Sequence, residues 1–346
     1  MSTAANVPKA LLQQLIQTFP HRFSYAFAYG SGVFTQNITK TDDNKKDADL
    51  RKNMIDLILV TDDSQDFHHK NLIRNRSHYS VLGSLGPKWL TTIQESFGAK
   101  VYFNTLIQMD DYLIKYGVIS TKHLIADCLD WQTLYISGRL HKPVVVLQEP
   151  TSSDLSTALA INIESAIHSA LILLSETFTE EQLYTTIAGL SYLGDFRMTF
   201  GEDKQKVQKI VRPQIHNFRH LYQPLITSKT LSRLVDWNPH SKAYRQDCSP
   251  NSLYYHLNHL PKTVERYVSD EWNRESRHPF TDMDELLKNL ANSIECKTYV
   301  KQAIHRIVQN SSMSQSFKGL FTAGLLKSFR YSNQKISKMF RIFENP

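Results

Sequence analysis

Two apolar segments joined through a Gly-Ser-Gly turn constrain this chain more than any other feature. Ser24-Tyr-Ala-Phe-Ala-Tyr-Gly-Ser-Gly-Val-Phe34 reads as a buried strand that runs into a tight turn. Met54-Ile-Asp-Leu-Ile-Leu-Val-Thr-Asp-Asp63 reads as a second strand with Asp56 inside its apolar run. Gly30 and Gly32 let backbone N–H groups approach phosphate oxygens, and the Ser31 hydroxyl adds a donor. Asp56 offers the hard oxygen that Mg2+ takes. Alone, a Gly-Ser-Gly is an ordinary turn. Followed by a strand-borne Asp, it fits a site that holds a nucleoside triphosphate for in-line attack, with pyrophosphate leaving.

The rest of the chain reads as an α+β protein. Beyond the strands at 24–30 and 54–61, strands are expected over 100–107, Leu134 to Arg139 and Val144 to Leu147, forming a small mixed sheet. A short helix is expected over 8–18 and another, with a basic face, over Phe67 to Arg76. The polar stretch Asn37 to Asn53 reads as a loop or a partly ordered helix start. Past the linker Glu149-Pro-Thr-Ser-Ser153 the period changes to helical: Asp154 to Phe178, Glu180 to Ser191 and Lys204 to Tyr222. Residues 225–295 read as short helices with Pro-bearing turns.

With 346 residues the chain can bury a sizeable core, as two domains and a tail. No apolar run approaches the roughly 18 residues of a membrane span, and Ala170-Leu-Ile-Leu-Leu174 reads as core helix. Cys128, Cys248 and Cys296 lie far apart without C-x-x-C spacing, which speaks for a reducing compartment and against structural zinc. The histidine pairs His68/His69, His216/His220 and His256/His259 read as solvent-facing side chains. Only Lys9 is basic before His21 and Arg22, so targeting is expected to be internal, or a leader has been trimmed.

The formal net charge of +7 is concentrated at one end, where residues 300–346 hold eight basic side chains against the single acid Glu344. At about 100° per residue, Phe321, Phe329, Ile336, Met339, Phe340 and Phe343 share the face of Leu325. Lys327, Arg330, Lys335, Lys338 and Arg341 lie opposite, while Ile342 and Lys318 depart from the pattern. This is the composition of an interfacial membrane helix on an anionic surface, with Phe329, Arg330, Lys335, Lys338, Phe340 and Phe343 as its contacts. A core-packed terminal helix is the alternative.

Short stretches along almost the whole chain resemble the mitochondrial CDP-diacylglycerol synthases, the phosphatidate cytidylyltransferases of the translocator assembly and maintenance type. They include Phe27-Ala-Tyr-Gly-Ser-Gly-Val-Phe34, His69-Lys-Asn-Leu72, Ser77-His-Tyr79, Leu113-Ile-Lys-Tyr-Gly-Val-Ile-Ser-Thr121, Gly138-Arg-Leu140, Lys142-Pro-Val144, Gly194-Asp-Phe-Arg-Met198, Gly201-Glu-Asp-Lys204 and Lys318-Gly-Leu-Phe-Thr-Ala-Gly324. The resemblance implies CTP and phosphatidic acid as substrates, CDP-diacylglycerol and pyrophosphate as products, and Mg2+ as cofactor. It also implies work for mitochondrial cardiolipin synthesis at the matrix face of the inner membrane, as a peripheral protein. The expected fold is a nucleotidyltransferase mixed sheet with helices over 1–150, then a mainly helical domain over 151–300, with a winged helix as one option. A basic amphipathic helix over 301–346 completes it.

Asp56 on its strand, and Ser31 and Arg139 within these motifs, are the expected catalytic residues. Gly30, Ser31, Gly32, Lys70, His78, Lys115 and Lys142 are the expected nucleotide contacts, because a triphosphate needs several cations. Arg197 and Lys204 are candidates for the substrate phosphate, although Arg197 has Asp195 as a ready partner. Nucleotidyltransferases usually carry a second acid two positions after the first, and here that position is Ile58. Asp62 shares strand parity with Asp56 and is the expected second metal ligand, but only if the strand ends or bends before it. Two rival readings remain: a nucleic-acid nucleotidyltransferase and a non-catalytic scaffold for membrane assembly. Segregation of the tail's aromatics away from its charges favours lipid, so no nucleic acid is expected as partner.

Overall fold

The computed structural model describes residues 7–20, 22–34, 54–200, 205–275 and 282–323. The expected loop at 37–53, Lys204 and the tail contacts Phe329, Arg330, Lys335, Lys338, Phe340 and Phe343 lie outside these residues.

Five strands form the mixed sheet: β1 Tyr25–Tyr29, β2 Ile55–Thr61, β3 Val101–Met109, β4 Tyr112–Ser120 and β5 Val145–Gln148, in the order β3-β4-β2-β1-β5. β2 and β4 are parallel, and the other pairs are antiparallel. Alternation sorts the side chains onto two faces. Tyr25, Phe27, Ile58, Val60 and Ile119 pack with Leu124, Cys128 and Leu155 on one face. Ala26, Ala28, Leu57, Leu59 and Tyr116 pack with Leu12, Phe19 and Phe67 on the other. Two helices cover this second face, α1 Lys9–Gln17 and α2 Ser64–Arg74. The start of α2 is fixed by Asp63, whose Oδ1 accepts from the Asp66 N–H at 2.9 Å. α3 Pro87–Ser96 lies beside α2.

Leu134 to Arg139 is not a strand. The buried carboxylate of Asp127, on α4 Thr121–Asp130, accepts from the backbone N–H groups of Thr133, Leu134, Ile136 and Ser137 at 2.8–3.2 Å. Those donors are then unavailable to a ladder, and the segment closes into the short helix α5 Ser137–Leu140. The missing strand is β4, whose residues Ile114 to Ser120 pair with the whole of β2.

α6 Ser153–Leu173 has the length and hydropathy of a membrane span, yet 61% of that window is buried inside the fold. It ends earlier than its periodicity suggests, because Thr177–Thr179 forms strand β6. α7 Glu180–Gly189 and α8 Arg197–Phe200 follow. The expected helix over 204–222 is interrupted at Arg212–Gln214, where Pro213 removes a donor, leaving α9 Lys206–Val211 and α10 Ile215–Ile226. Residues 225–295 carry two unexpected strands, β7 Val235–Asn238 and β8 Ala243–Gln246, which join β6 in a small antiparallel sheet ordered β6-β8-β7.

The last helices are α11 Pro250–Leu257, α12 Lys262–Glu275, α13 Met283–Ala291 and α14 Cys296–Ala323. They enclose a separate core built on Trp131, Leu171, Tyr184, Phe218, Tyr222 and Ile304. α14 then returns to the first sheet. Gln315 accepts from the Ala99 N–H at 2.9 Å, and Lys318 donates to the carbonyls of Ile93, Gln94 and Phe97 at the end of α3.

Candidate active site

The Gly-Ser-Gly turn closes at the end of β1, where Val33 and Phe34 both donate to the Gly30 carbonyl, at 3.1 and 3.0 Å. Gly30 has φ +83°, and a Cβ there would lie 3.2 Å from Asp56 Oδ2. A Cβ on Gly32 would lie 2.2 Å from the Met54 carbonyl oxygen, so no side chain fits. Both glycines are needed for the turn to sit on the start of β2. Ser31, between them, is exposed.

Register assembles the rest. Tyr29 pairs with Asp56 across β1 and β2, and Asp56 pairs with Lys115 across β2 and β4. Asp56 Oδ1 lies 3.4 Å from Lys115 Nζ, which also sits 4.6 Å from the centre of the Phe103 ring. Arg139 reaches the same end of the same face from α5. Its guanidinium lies 4.0 Å from the Tyr135 ring centre and 5.3 Å from that of Tyr29. Burial works against its charge, but the Tyr29 and Tyr135 hydroxyls outweigh that and raise its pKa. Arg139 Nε is buried without a hydrogen-bond partner among the described residues, while Nη1 of the same guanidinium donates to the Tyr135 carbonyl.

Two more cations close the cluster. Lys142 donates to the Gly138 carbonyl and, at 2.9 Å, to Ser191 Oγ. Burial, then the charges of Arg139 and Lys206, push its pKa down to about 7. Lys142 and Lys206 each lie 5.3 Å from the Tyr192 ring centre. Arg197 is held by Asp195, Nε to Oδ1 at 2.9 Å and Nη2 to Oδ2 at 2.5 Å. Tyr135 links the group: burial raises its pKa, but Arg139, Arg197 and Lys115 outweigh that and lower it. Lys115, Arg139, Lys142, Arg197 and Lys206 thus face the carboxylates of Asp56 and Asp195, an excess of positive charge suited to polyphosphate.

Other expected contacts lie elsewhere. Lys70 is half exposed and pairs with Asp66 at 2.7 Å within α2. His78 is on the opposite face of the sheet, with Nδ1 3.1 Å from the Tyr116 hydroxyl in a buried network with Asn71 and Tyr79. Asp62 sits at the far end of β2, roughly 20 Å along the strand from Asp56. It accepts from Thr121 Oγ1 at 2.5 Å, so the structure does not bring the two carboxylates together.

Sequence reasoning missed Tyr29, Tyr135, Tyr192 and Lys206. The signals were local: Tyr29 abuts Gly30, and Tyr135 stands one helical turn before Arg139. Two of the histidines differ from expectation: His68 is buried against Tyr79 and Gln94, and His256 is buried as well. His69, His216 and His220 are exposed, as expected.

One carboxylate beside a cluster of cations suits Mg2+, which takes few protein ligands and completes its shell with substrate phosphates and water. Asp56 fits that role among the described residues.

A family model described as mitochondrial phosphatidate cytidylyltransferase matches residues 12–338. The protein of that name from Danio rerio is 44% identical over 329 residues, covering 95% of this chain and 94% of its own length. The Xenopus laevis protein is 42% identical over the same share of each chain. The Homo sapiens protein is 42% identical over 317 residues, 92% of this chain and 67% of the human one.

Proposed function

The chain belongs to the mitochondrial phosphatidate cytidylyltransferase family, and we propose that its chemistry takes place at the Asp56 end of the sheet. It is a nucleotidyltransferase that joins CTP and phosphatidic acid to give CDP-diacylglycerol and pyrophosphate. The observation that carries the site is the meeting of the Gly30–Gly32 turn, Asp56, Lys115, Arg139, Lys142 and Arg197 on one face.

In this reading the turn's backbone N–H groups and the Ser31 hydroxyl hold phosphate oxygens of CTP. Arg139 and Lys142 offset the triphosphate's charge, with Arg139 Nε supplying a directed hydrogen bond. Arg197, kept in place by Asp195, meets the lipid phosphate. That phosphate is already an oxyanion, so no strong general base is required. Its oxygen attacks the α-phosphorus, the bond to the bridging oxygen breaks, and pyrophosphate leaves. Asp56 would hold Mg2+, which draws charge from the triphosphate. Lys115 beside it balances the carboxylate and fixes its rotamer.

The basic tail over 324–346 serves as the membrane contact of a peripheral protein on the matrix side of the inner membrane. The substrate stays in the bilayer, so the site must be held at its surface.

The test uses the full chain with each nucleoside triphosphate, Mg2+ and phosphatidic acid in detergent micelles, scoring both pyrophosphate and CDP-lipid. CTP should give both products in equal amounts, and omission of Mg2+ should stop both. Pyrophosphate release without CDP-lipid would overturn the lipid reading.

A further inference from the structure

We infer that Glu164, His168 and His259 form a second metal site, for a divalent transition ion of the zinc class, distinct from the Asp56 end of the sheet. Glu164 and His168 stand one turn apart on α6, and His259 lies in the turn that follows α11. One carboxylate oxygen and one ring nitrogen from each histidine lie within 4.8 Å of one another. Ligand atoms around tetrahedral zinc are about 3.3 Å apart, given bonds of about 2.0–2.1 Å. Small side-chain rotations close the difference.

The hydrogen bonds around the cluster point the same way. A metal-bound imidazole normally donates its other N–H to an acceptor, which fixes the tautomer. His259 Nδ1 lies 2.8 Å from the Tyr255 carbonyl, which can only accept, so its proton sits on Nδ1 and the Nε2 lone pair is free. His168 Nδ1 lies 2.8 Å from His256 Nδ1. With the His168 proton on Nδ1, its Nε2 is likewise free for an ion, and the His256 proton then sits on Nε2, a buried nitrogen without a hydrogen-bond partner among the described residues. The His168 and His259 rings are stacked, with centres 4.3 Å apart, and the Tyr255 ring packs on both.

Two imidazoles and one carboxylate are a borderline donor set that suits zinc and its neighbours, whereas Mg2+ prefers oxygen alone. The fourth position is left to water. The ion would join α6 to the turn after α11. Asn162, two residues before Glu164, accepts from Trp131 Nε1 at 2.9 Å and His141 Nε2 at 3.0 Å, and donates to the Ser137 carbonyl at 3.0 Å. An ion that pins α6 therefore also steadies the segment that carries Arg139, a structural role.

The test is a Co2+ titration of the chelator-treated full chain without a polyhistidine tag. We expect about one equivalent bound with visible d–d absorption of a low-coordinate ion. Zn2+ should displace it and raise the thermal midpoint, while Mg2+ should do neither. Glu164→Gln and His259→Ala, each checked for native circular dichroism, should lose about a hundredfold or more in Co2+ affinity. Asp56→Asn and His216→Ala should bind as the wild type does. Absence of the Co2+ spectrum, or wild-type affinity in both Glu164→Gln and His259→Ala, overturns the proposal.

Discussion

Asp56 and Lys115 face each other across the parallel β2–β4 pair, Oδ1 3.4 Å from Nζ, with both side chains mostly buried. A carboxylate needed only for packing would not be placed against a lysine beside a turn that a Cβ cannot enter. Asp56→Asn keeps the shape and a hydrogen-bonding group, so the fold should survive. Turnover should fall by about 10²–10³-fold or more, the range for loss of a directed charge interaction at a reacting centre. Pyrophosphate release paired with a thermal melt measures both. A folded Asp56→Asn protein with wild-type turnover would remove Asp56 from the chemistry.

The turn separates fit from contact. Gly32→Ala must push a methyl group against the Met54 carbonyl, 2.2 Å from the new Cβ, and should displace the turn and lower stability. Ser31→Ala makes no clash, because Ser31 is exposed. It should weaken CTP binding by about 1–3 kcal/mol, the value of a hydrogen bond to a charged group. Calorimetry with CTP and Mg2+ decides. An unchanged Kd for Ser31→Ala would mean that its hydroxyl points away from the nucleotide.

Lys142 gives the site a pH dependence. Its pKa in the free protein is pushed down to about 7, first by burial and then by Arg139 and Lys206. A bound phosphate favours the ammonium, so the pKa rises in the complex. Affinity should be highest below pH 7 and decline as pH climbs through the free-protein value, because binding must then take up a proton. KM for the anionic substrates should rise between about pH 7 and 9. Lys142→Met should weaken binding at pH 6.5 and flatten that rise. If the mutant keeps the wild-type slope, another group is titrating.

How far the sequence reveals this site depends on how local each signal is. The turn and Asp56 were legible because both strands are apolar runs whose ends carry the chemistry. Lys115, Arg139, Lys142 and Arg197 were found through motifs; register sets Lys115 against Asp56, and packing sets Arg139 beside Tyr29 and Tyr135 with Lys142 and Arg197 next to it. Lys70 and His78 sit in equally good motifs but face the other side of the sheet, which only the placement of β4 decides. The strand assigned to Leu134–Arg139 failed because a buried carboxylate, Asp127, takes its backbone donors. Side-chain bonds of this kind, from a carboxylate six to ten residues earlier, leave no periodic trace. The strands at 235–238 and 243–246 were hidden by their brevity, four residues each.

The junction between body and tail sets the last prediction. Gln315 and Lys318 fasten α14 onto Ala99 and the end of α3, so a cut at residue 317 would leave three helix-end carbonyls without their lysine. Removal of residues 324–346 spares those bonds and should leave the fold and CTP affinity intact. It takes away five basic residues, each worth about 1 kcal/mol near an anionic bilayer, together with the Phe-rich face. Flotation with anionic liposomes should therefore fall sharply. In the full chain, high salt should weaken attachment without abolishing it, since the apolar face is not screened. Activity on bilayer phosphatidic acid should drop, while activity in detergent micelles should hold. If the truncated protein floats as well as the full chain, the anchor lies on the body. Phe97 and Phe317, both exposed at 60% and 68%, are then the side chains to replace with serine.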